Sequence, residues 1–577
     1  MLSLTPIAAS AEAPAAGGSV SPLPAWWSAP GRPGWTPDAV QSGGLPWTFA
    51  GLTAGAWRLD DPFAPVASHF GGLPEAQAPI AWYDTVRVTV GEGAAWTGFG
   101  AGVVTAEAGM RPPTTLQPRA VFTLANGDGG VERNGILLSR GNERSWLRVG
   151  TVTGRRRGIA DMGPGAEHLW GFDTGTRRGG HAFAVRFAQR GLGESQRSSE
   201  ASLGESGRGA NGSLAWEWKR GPWAQGASIA RAYDLRTSFV LDGGSTFSVR
   251  DAWTNSAEYT VSRAAGERAV DGRVTWSESR ARRSTIFVPA FSDRQRTVWG
   301  AVRVRSPLFG GRAEVALGGG RDGAMAESRE RWQLAPAASW RRGERVRWRV
   351  YGERALTPVW TDLDAGSGQH SFMQDAWLGG LEAEGGRGGR HWGALVVAGS
   401  VGGRALAARY PVRDIAMRIG WLADPNRYGF VLAQADGAWN WRQLGADARG
   451  WALVRDESTA QPNVDPAIGG SAGTTAAFKL FSGDMAIQLR ADASWVGARW
   501  SEALVPGFED RELPGYATFG AGAQIGVGDV TMLLRLDGLE NERRPLSWLD
   551  QGASPDLVLA RDSGRRFRFE MTWPLLN

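Results

Sequence analysis

From about residue 119 onward, apolar and polar residues alternate along the chain with a period of two. In the C-terminal run, Phe567, Phe569, Met571 and Trp573 fall on one face and Arg568, Glu570 and Thr572 on the other. Successive side chains of a β-strand point to opposite faces, so the run predicts a strand with an apolar face backed by a charged one. The pattern recurs where Arg347 and Arg349 interleave with Val346, Trp348 and Val350, where Arg303 and Arg305 interleave with Val302 and Val304, and at Ile487-Gln488-Leu489-Arg490. A helical period does not emerge in any of these runs.

Asn-Gly pairs at Asn126, Asn134 and Asn211, and Asp-Gly pairs at Asp128, Asp242, Asp271, Asp322, Asp436 and Asp537, carry the residues that tight hairpins favour, and they predict turns. Longer polar stretches at 191–213, 357–374, 455–473 and 538–563 predict loops. Short turns alternating with long loops describe an antiparallel hairpin array with two unlike ends. A strand plus its connection takes roughly 21 residues, so residues 119–577 hold about 22 strands, more than the ~10 at which open sheets curl or split. A soluble sandwich or propeller would hide the aromatic face in a core. A membrane barrel would turn it to lipid and keep the charges in a wet lumen. The unbroken strand series, the lack of a blade-length repeat, and the aromatic residues near strand ends (Trp146, Trp223, Trp253, Trp340, Trp360, Tyr428, Trp451) favour the barrel. On that reading Arg347, Arg349, Arg490, Arg568 and Glu570 face the lumen, and Phe567, Phe569, Met571 and Trp573 form a closing strand against lipid.

Composition narrows the choice further. The 577 residues include 82 Gly, 29 Trp and no Cys, which excludes disulfide scaffolds, redox CxxC motifs and Cys-based metal sites. The glycines follow no collagen period. A net charge of +6, from 64 basic and 58 acidic residues, is a weak electrostatic footprint for nucleic acid, and none is expected as a partner. All the basic residues but Lys219 and Lys479 are arginine. The start of the chain, an apolar run followed by Ala9-Ser10-Ala11 and Ala11-Glu12-Ala13, reads as the remnant of a signal peptide over 1–13. Residues 14–46 are rich in Pro, Gly, Ser and Trp and read as irregular.

Two parts of the chain then resemble one family. Asp60-Asp61-Pro62-Phe63 precedes a strand-like Tyr83-Asp84-Thr85-Val86-Arg87-Val88-Thr89-Val90-Gly91, and then comes the glycine-rich Gly98-Phe99-Gly100-Ala101-Gly102-Val103-Val104-Thr105. This is similar to the second half of the plug domain of TonB-dependent outer-membrane receptors, with Asp61, Pro62, Asp84, Val86, Val88, Gly91, Gly98, Gly100 and Gly102 at the positions that carry the likeness. Residues 528–543 resemble that family's penultimate strand and its exit, and Phe567 to Trp573 its C-terminal insertion signal. The chain departs from the family at Val90-Gly91-Glu92, where an Arg-Gly-Pro is usual, and in a short plug. The resemblance implies an all-β fold: a transmembrane antiparallel β-barrel of about 22 strands (119–577) behind a plug-like domain (14–118). It implies a monomer in the outer membrane of a diderm bacterium, with lipid, the barrel-assembly machinery and TonB as partners. The substrate would be a small molecule, glycan or peptide, bound at the outer face and passed through the plugged barrel. A porin-like passive channel with a reduced plug and a surface-binding structural barrel remain alternatives.

Enzymatic and metal motifs do not assemble. Gly98-Phe99-Gly100-Ala101-Gly102 lacks the third glycine and the helix of a dinucleotide loop. Gly469-Gly470-Ser471-Ala472-Gly473 has the spacing of a nucleophile elbow but reads as a flexible loop. Asp362, Asp364 and Gly366 give a fragment of a calcium loop without its closing Glu. The five histidines have no paired spacing, so neither a metal site nor a cofactor is expected, nor catalysis.

Overall fold

The computed structural model describes residues 19–22, 57–60, 85–90, 94–98, 104–109, 116–127, 131–142, 144–156, 162–197, 202–240, 246–285, 291–324, 331–360, 371–412, 416–456, 467–501, 511–540, 545–548, 558–561 and 565–576. Twenty-two strands form one closed antiparallel barrel, each hydrogen-bonded to its sequence neighbours in the wall. Closure joins the last strand, Arg566–Leu576, to the first, Arg119–Gly127, with Met571 opposite Leu124 and Trp573 opposite Phe122. Closing the sheet leaves no strand edge to pair with other chains. The wall is uneven in height. The first strand has 9 residues, while Arg390–Val412 and Ala416–Trp441 have 23 and 26.

Side-chain alternation sorts the two faces. Val298, Val302 and Val304 are exposed, whereas Trp299 and Ala301 between them are buried. Trp348 and Val350 are exposed and flank the buried Arg349. A closed wall crowds its inner face and spreads its outer one, so the exposed apolar set is external and the packed charged set internal.

One end of the barrel has tight turns, many of them with glycine at positive φ: Gly179-Gly180, Gly221-Pro222, Gly266-Glu267 and Gly388-Gly389. Several turns expected from Asn-Gly and Asp-Gly are absent: Asn134, Asn211, Asp271, Asp322 and Asp436 lie inside strands. At Asn211 and Asp271 the polar residue is buried on the inner face, where polar neighbours wait, and the following glycine points outward. Two of the expected loops also belong largely to strands. His181–Arg197 and Ser202–Arg220 run through most of 191–213, and Val346–Trp360 and Ser371–Arg387 enter 357–374.

One seam of the barrel has the shortest pairing. Arg331–Arg342 and Val346–Trp360 pair only from Arg342↔Trp348 to Ala337↔Glu353, although both strands continue beyond that point. There Arg354 spans the gap. Its Nη1 donates to the Leu334 carbonyl at 2.7 Å, and its Nε and Nη2 hold Asp375 at 2.8 and 3.0 Å.

N-terminal of the barrel, four short strands form a separate sheet in the order Ser19–Pro22, Thr85–Val90, Val104–Gly109, Trp57–Asp60. The two central strands are antiparallel and the last pair is parallel. A single helical turn, Ala94–Thr97, lies in the connection between the central strands.

Candidate functional site: the charged inner wall and the docked helical turn

The helical turn is fastened to the barrel wall at both of its central carbonyls. Trp299 Nε1 donates to the Ala95 carbonyl at 3.0 Å, and Arg273 Nη1 to the Trp96 carbonyl at 3.3 Å. So short a turn leaves its carbonyls without partners of its own, and the wall supplies the donors. Ala95 is fully buried in a cluster with Trp299, Ala301, Ala316, Ala335 and Leu356. The Arg303 guanidinium lies 4.3 Å from the centre of the Trp96 ring, a cation–π contact. Glycine makes room for the indole. Gly98 sits at φ +84°, and a Cβ there would stand 2.7 Å from Trp299 Cγ, while Gly318 leaves space for both the indole and the Ala95 carbonyl.

Beneath the turn, Asp271 gathers cations from the neighbouring strand. Arg303 Nε donates to it at 2.9 Å, Arg305 Nη2 at 2.7 Å and Ser262 Oγ at 2.6 Å. Arg273 in turn holds Glu258 at 2.7 Å. The ion network thus fixes the two arginines, 273 and 303, that grip the turn.

On the opposite side of the barrel a second network forms a ladder. Asp447, Gly473, Asp492, Gly520 and Asp537 stand at one level on five successive strands. Arg490 crosses over Gly473 to reach Asp447 at 2.8 and 3.0 Å. Arg535 crosses over Gly520 to Asp492 at 3.1 and 3.2 Å and also holds Asp537 at 2.6 Å. Both glycines clear the path of a guanidinium. Gly520→Leu is expected to displace Arg535 from Asp492, which keeps Arg490 at 3.6 Å, and to cost about 3 kcal/mol, the penalty of leaving the buried Arg535 guanidinium without its partner. A shift of the urea midpoint of the refolded barrel measures it, and an unchanged midpoint would contradict the ladder.

Of the lumen-facing residues expected from sequence, Arg347 pairs with Glu384 at 2.8 Å and Arg349 with Glu382 at 3.4 Å, each directly across the strand pair. Arg490 belongs to the ladder. Arg568 stands opposite Arg535 in register, and Glu570 is half-buried on the closing strand. Phe567, Phe569, Met571 and Trp573 share the opposite parity, with Phe567 and Trp573 exposed. Of the plug-like positions, Val86 and Val88 pair with Ala108 and Ala106, and Gly98 ends the helical turn. Asp61, Pro62, Asp84, Gly91, Gly100 and Gly102 lie outside the described residues, as do Asp362, Asp364 and Gly366. Among the described residues, no group of three His, Cys, Asp or Glu is arranged to hold a metal ion. Sequence reading missed Trp299 and Asp271. The alternation around Val270, Val274 and Trp276 carried the signal for Asp271, but the Asp-Gly turn rule masked it.

A closed 22-stranded wall with an N-terminal sheet whose connection docks against it is the fold of TonB-dependent receptors. The solved structures it resembles include the copper transporter OprC, with TM-score 0.79 at 11% identity, covering 97% of this chain and all of that one. The FrpB iron transporter of Neisseria meningitidis in its apoprotein form gives 0.76 at 10% identity, covering 97% and 99%. The siderophore receptor PirA of Acinetobacter baumannii gives 0.73 at 9%, covering 97% and 98%. These are transporters and receptors rather than enzymes. Neither a family model nor a curated protein sequence matches the chain.

Proposed function

We propose that the chain is an outer-membrane transporter of a Gram-negative-type bacterium that works as TonB-dependent receptors do. A solute binds at the long-loop end, between a plug (14–118) and the loops of the barrel (119–577). It passes when the plug moves, with TonB as the partner that transmits energy from the inner membrane. OprC, PirA and FrpB are named for copper, a siderophore and iron, so metal complexes are the first ligands to try here.

The observation that carries this reading is the docked turn Ala94–Thr97. Two hydrogen bonds from the wall, one of them from a guanidinium, hold the N-terminal segment in place. At about 1–3 kcal/mol each, they are firm at rest and small enough to break under load. The test is conductance of the refolded full chain in a planar lipid bilayer. Insertion, verified by a heat-modifiable gel shift, is expected without steady current. Large, steady steps would instead mark a porin-like open channel and overturn the plugged reading.

A further inference from the structure

The outer face of the wall changes character abruptly on two adjacent strands, Arg268–Thr285 and Phe291–Leu308. From the tight-turn end, the outward positions are Val270, Gly272, Val274 and Trp276 on one and Val304, Val302, Gly300 and Val298 on the other. The first charged pair beyond them is Glu278 opposite Arg296, followed by Arg280 opposite Arg294 and then by the exposed Arg282. Each run lies in a window of about nine residues between polar outward positions, Arg268 and Glu278 on one strand and Arg296 and Ser306 on the other, the length a tilted strand needs to cross the hydrocarbon. The charges therefore begin at its loop-side edge, at the level of the outer-leaflet headgroups.

Two arginines placed directly opposite each other repel, and such pairs destabilise a sheet. Arg280 and Arg294 nevertheless face each other, with Arg296 and Arg282 beside them; Glu278 pairs with Arg294 and Arg296, and Asp251 stands opposite Arg282 on the preceding strand. Four guanidinium groups against two carboxylates leave a surplus of two positive charges. Arg321, outward on the next strand and directly opposite the exposed Trp332, extends the patch. The far side of the barrel has no such excess. On the strands from Leu444–Arg455 round through the closing seam to His181–Arg197, Arg155 is the one described outward arginine side chain at this level, and Glu132 neutralises it. A planar guanidinium takes a phosphate in bidentate fashion, and an anion between Arg280 and Arg294 would turn their repulsion into attraction.

We propose that Arg280, Arg282, Arg294 and Arg296 bind the phosphate groups of a phosphorylated glycolipid in the outer leaflet, with Trp276 and Val298 against its acyl chains. The site rests on the outer-membrane reading above and concerns the lipid around the barrel, not the solute inside it. The test places the full chain in phosphatidylcholine nanodiscs doped with diphosphoryl lipid A or with its dephosphorylated form, and counts retained lipid A by native mass spectrometry. Diphosphoryl lipid A is expected to be retained, and the triple variant Arg280→Gln/Arg294→Gln/Arg296→Gln to lose it about tenfold, as charge-assisted contacts of this kind predict. Arg155→Gln should retain it fully. Equal retention by the triple variant, or of the dephosphorylated lipid, overturns the site. Competition by millimolar inorganic phosphate at full potency would also overturn it, in favour of a free-phosphate site. A chain that enters no nanodisc as a heat-modifiable barrel refutes the outer-membrane reading instead.

Discussion

Gly318→Val is expected to evict the helical turn from the barrel wall while leaving the wall itself intact. Gly318 points inward, and a Cβ there would collide with the Ala95 carbonyl and stand 2.7 Å from Trp299 Cε2. The indole is hemmed in on the far side by Gly320, where a Cβ would lie 2.8 Å from Trp299 Cε3, so it has little freedom to yield. Eviction loses the bonds to Ala95 and Trp96 and the burial of Ala95, together about 3–5 kcal/mol, or more than a hundredfold in the docked population. Because the barrel ladder pairs Gly318 with Ala301 and Ala335 through backbone alone, folding should survive. In planar bilayers the variant should conduct where the parent chain is silent, and its N-terminal segment should be cleaved faster by added protease. A silent variant with parental proteolysis would mean that the turn is not what holds the segment in the lumen.

The second large effect concerns the outer face of the closing strand. Phe569→Arg puts a guanidinium into the apolar band beside Leu534. A charge on the lipid face costs up to about 2–4 kcal/mol at the midplane, enough to empty the membrane-inserted population of a marginal barrel. Arg568→Ala, one residue away and of the opposite parity, should assemble nearly as the parent does. The heat-modifiable fraction after refolding into vesicles reads both. Equal damage from the two would mean that the faces are assigned the wrong way round.

The period-two alternation made the wall legible before any coordinates, because lipid on one side and a crowded lumen on the other impose the same code on every strand. Runs such as Val346 to Val350 therefore spelled out both faces. The turns were less legible, since an Asp-Gly pair fits a hairpin and also fits an inward carboxylate followed by an outward glycine. Asp271 is the second case, and only the arginines directly opposite it and two positions along on the next strand, 303 and 305, distinguish it. The docked turn was hidden for another reason. Ala94-Ala95-Trp96-Thr97 is too short to display a period, and its partners Arg273 and Trp299 lie about 180 and 200 positions further along the chain. The ladder over Gly473 and Gly520 was concealed likewise: one arginine, Arg490, was visible as inward, but its path depends on a side chain being absent on the strand between.

The short pairing between Arg331–Arg342 and Val346–Trp360 gives the cylinder a preferred line of yielding. A sheet closed on itself shares strain equally only if every junction is equally cross-linked, and this junction stops at Ala337↔Glu353. Above it, parting the wall breaks no inter-strand amide bond; the hydrogen bonds to be released are those of one guanidinium to Leu334 and Gln333. Amide protons facing that line should exchange with deuterium before those of the fully paired junctions on either side. Under lateral pressure, the barrel would then breathe like a zip left partly undone, with Arg354 as its slider.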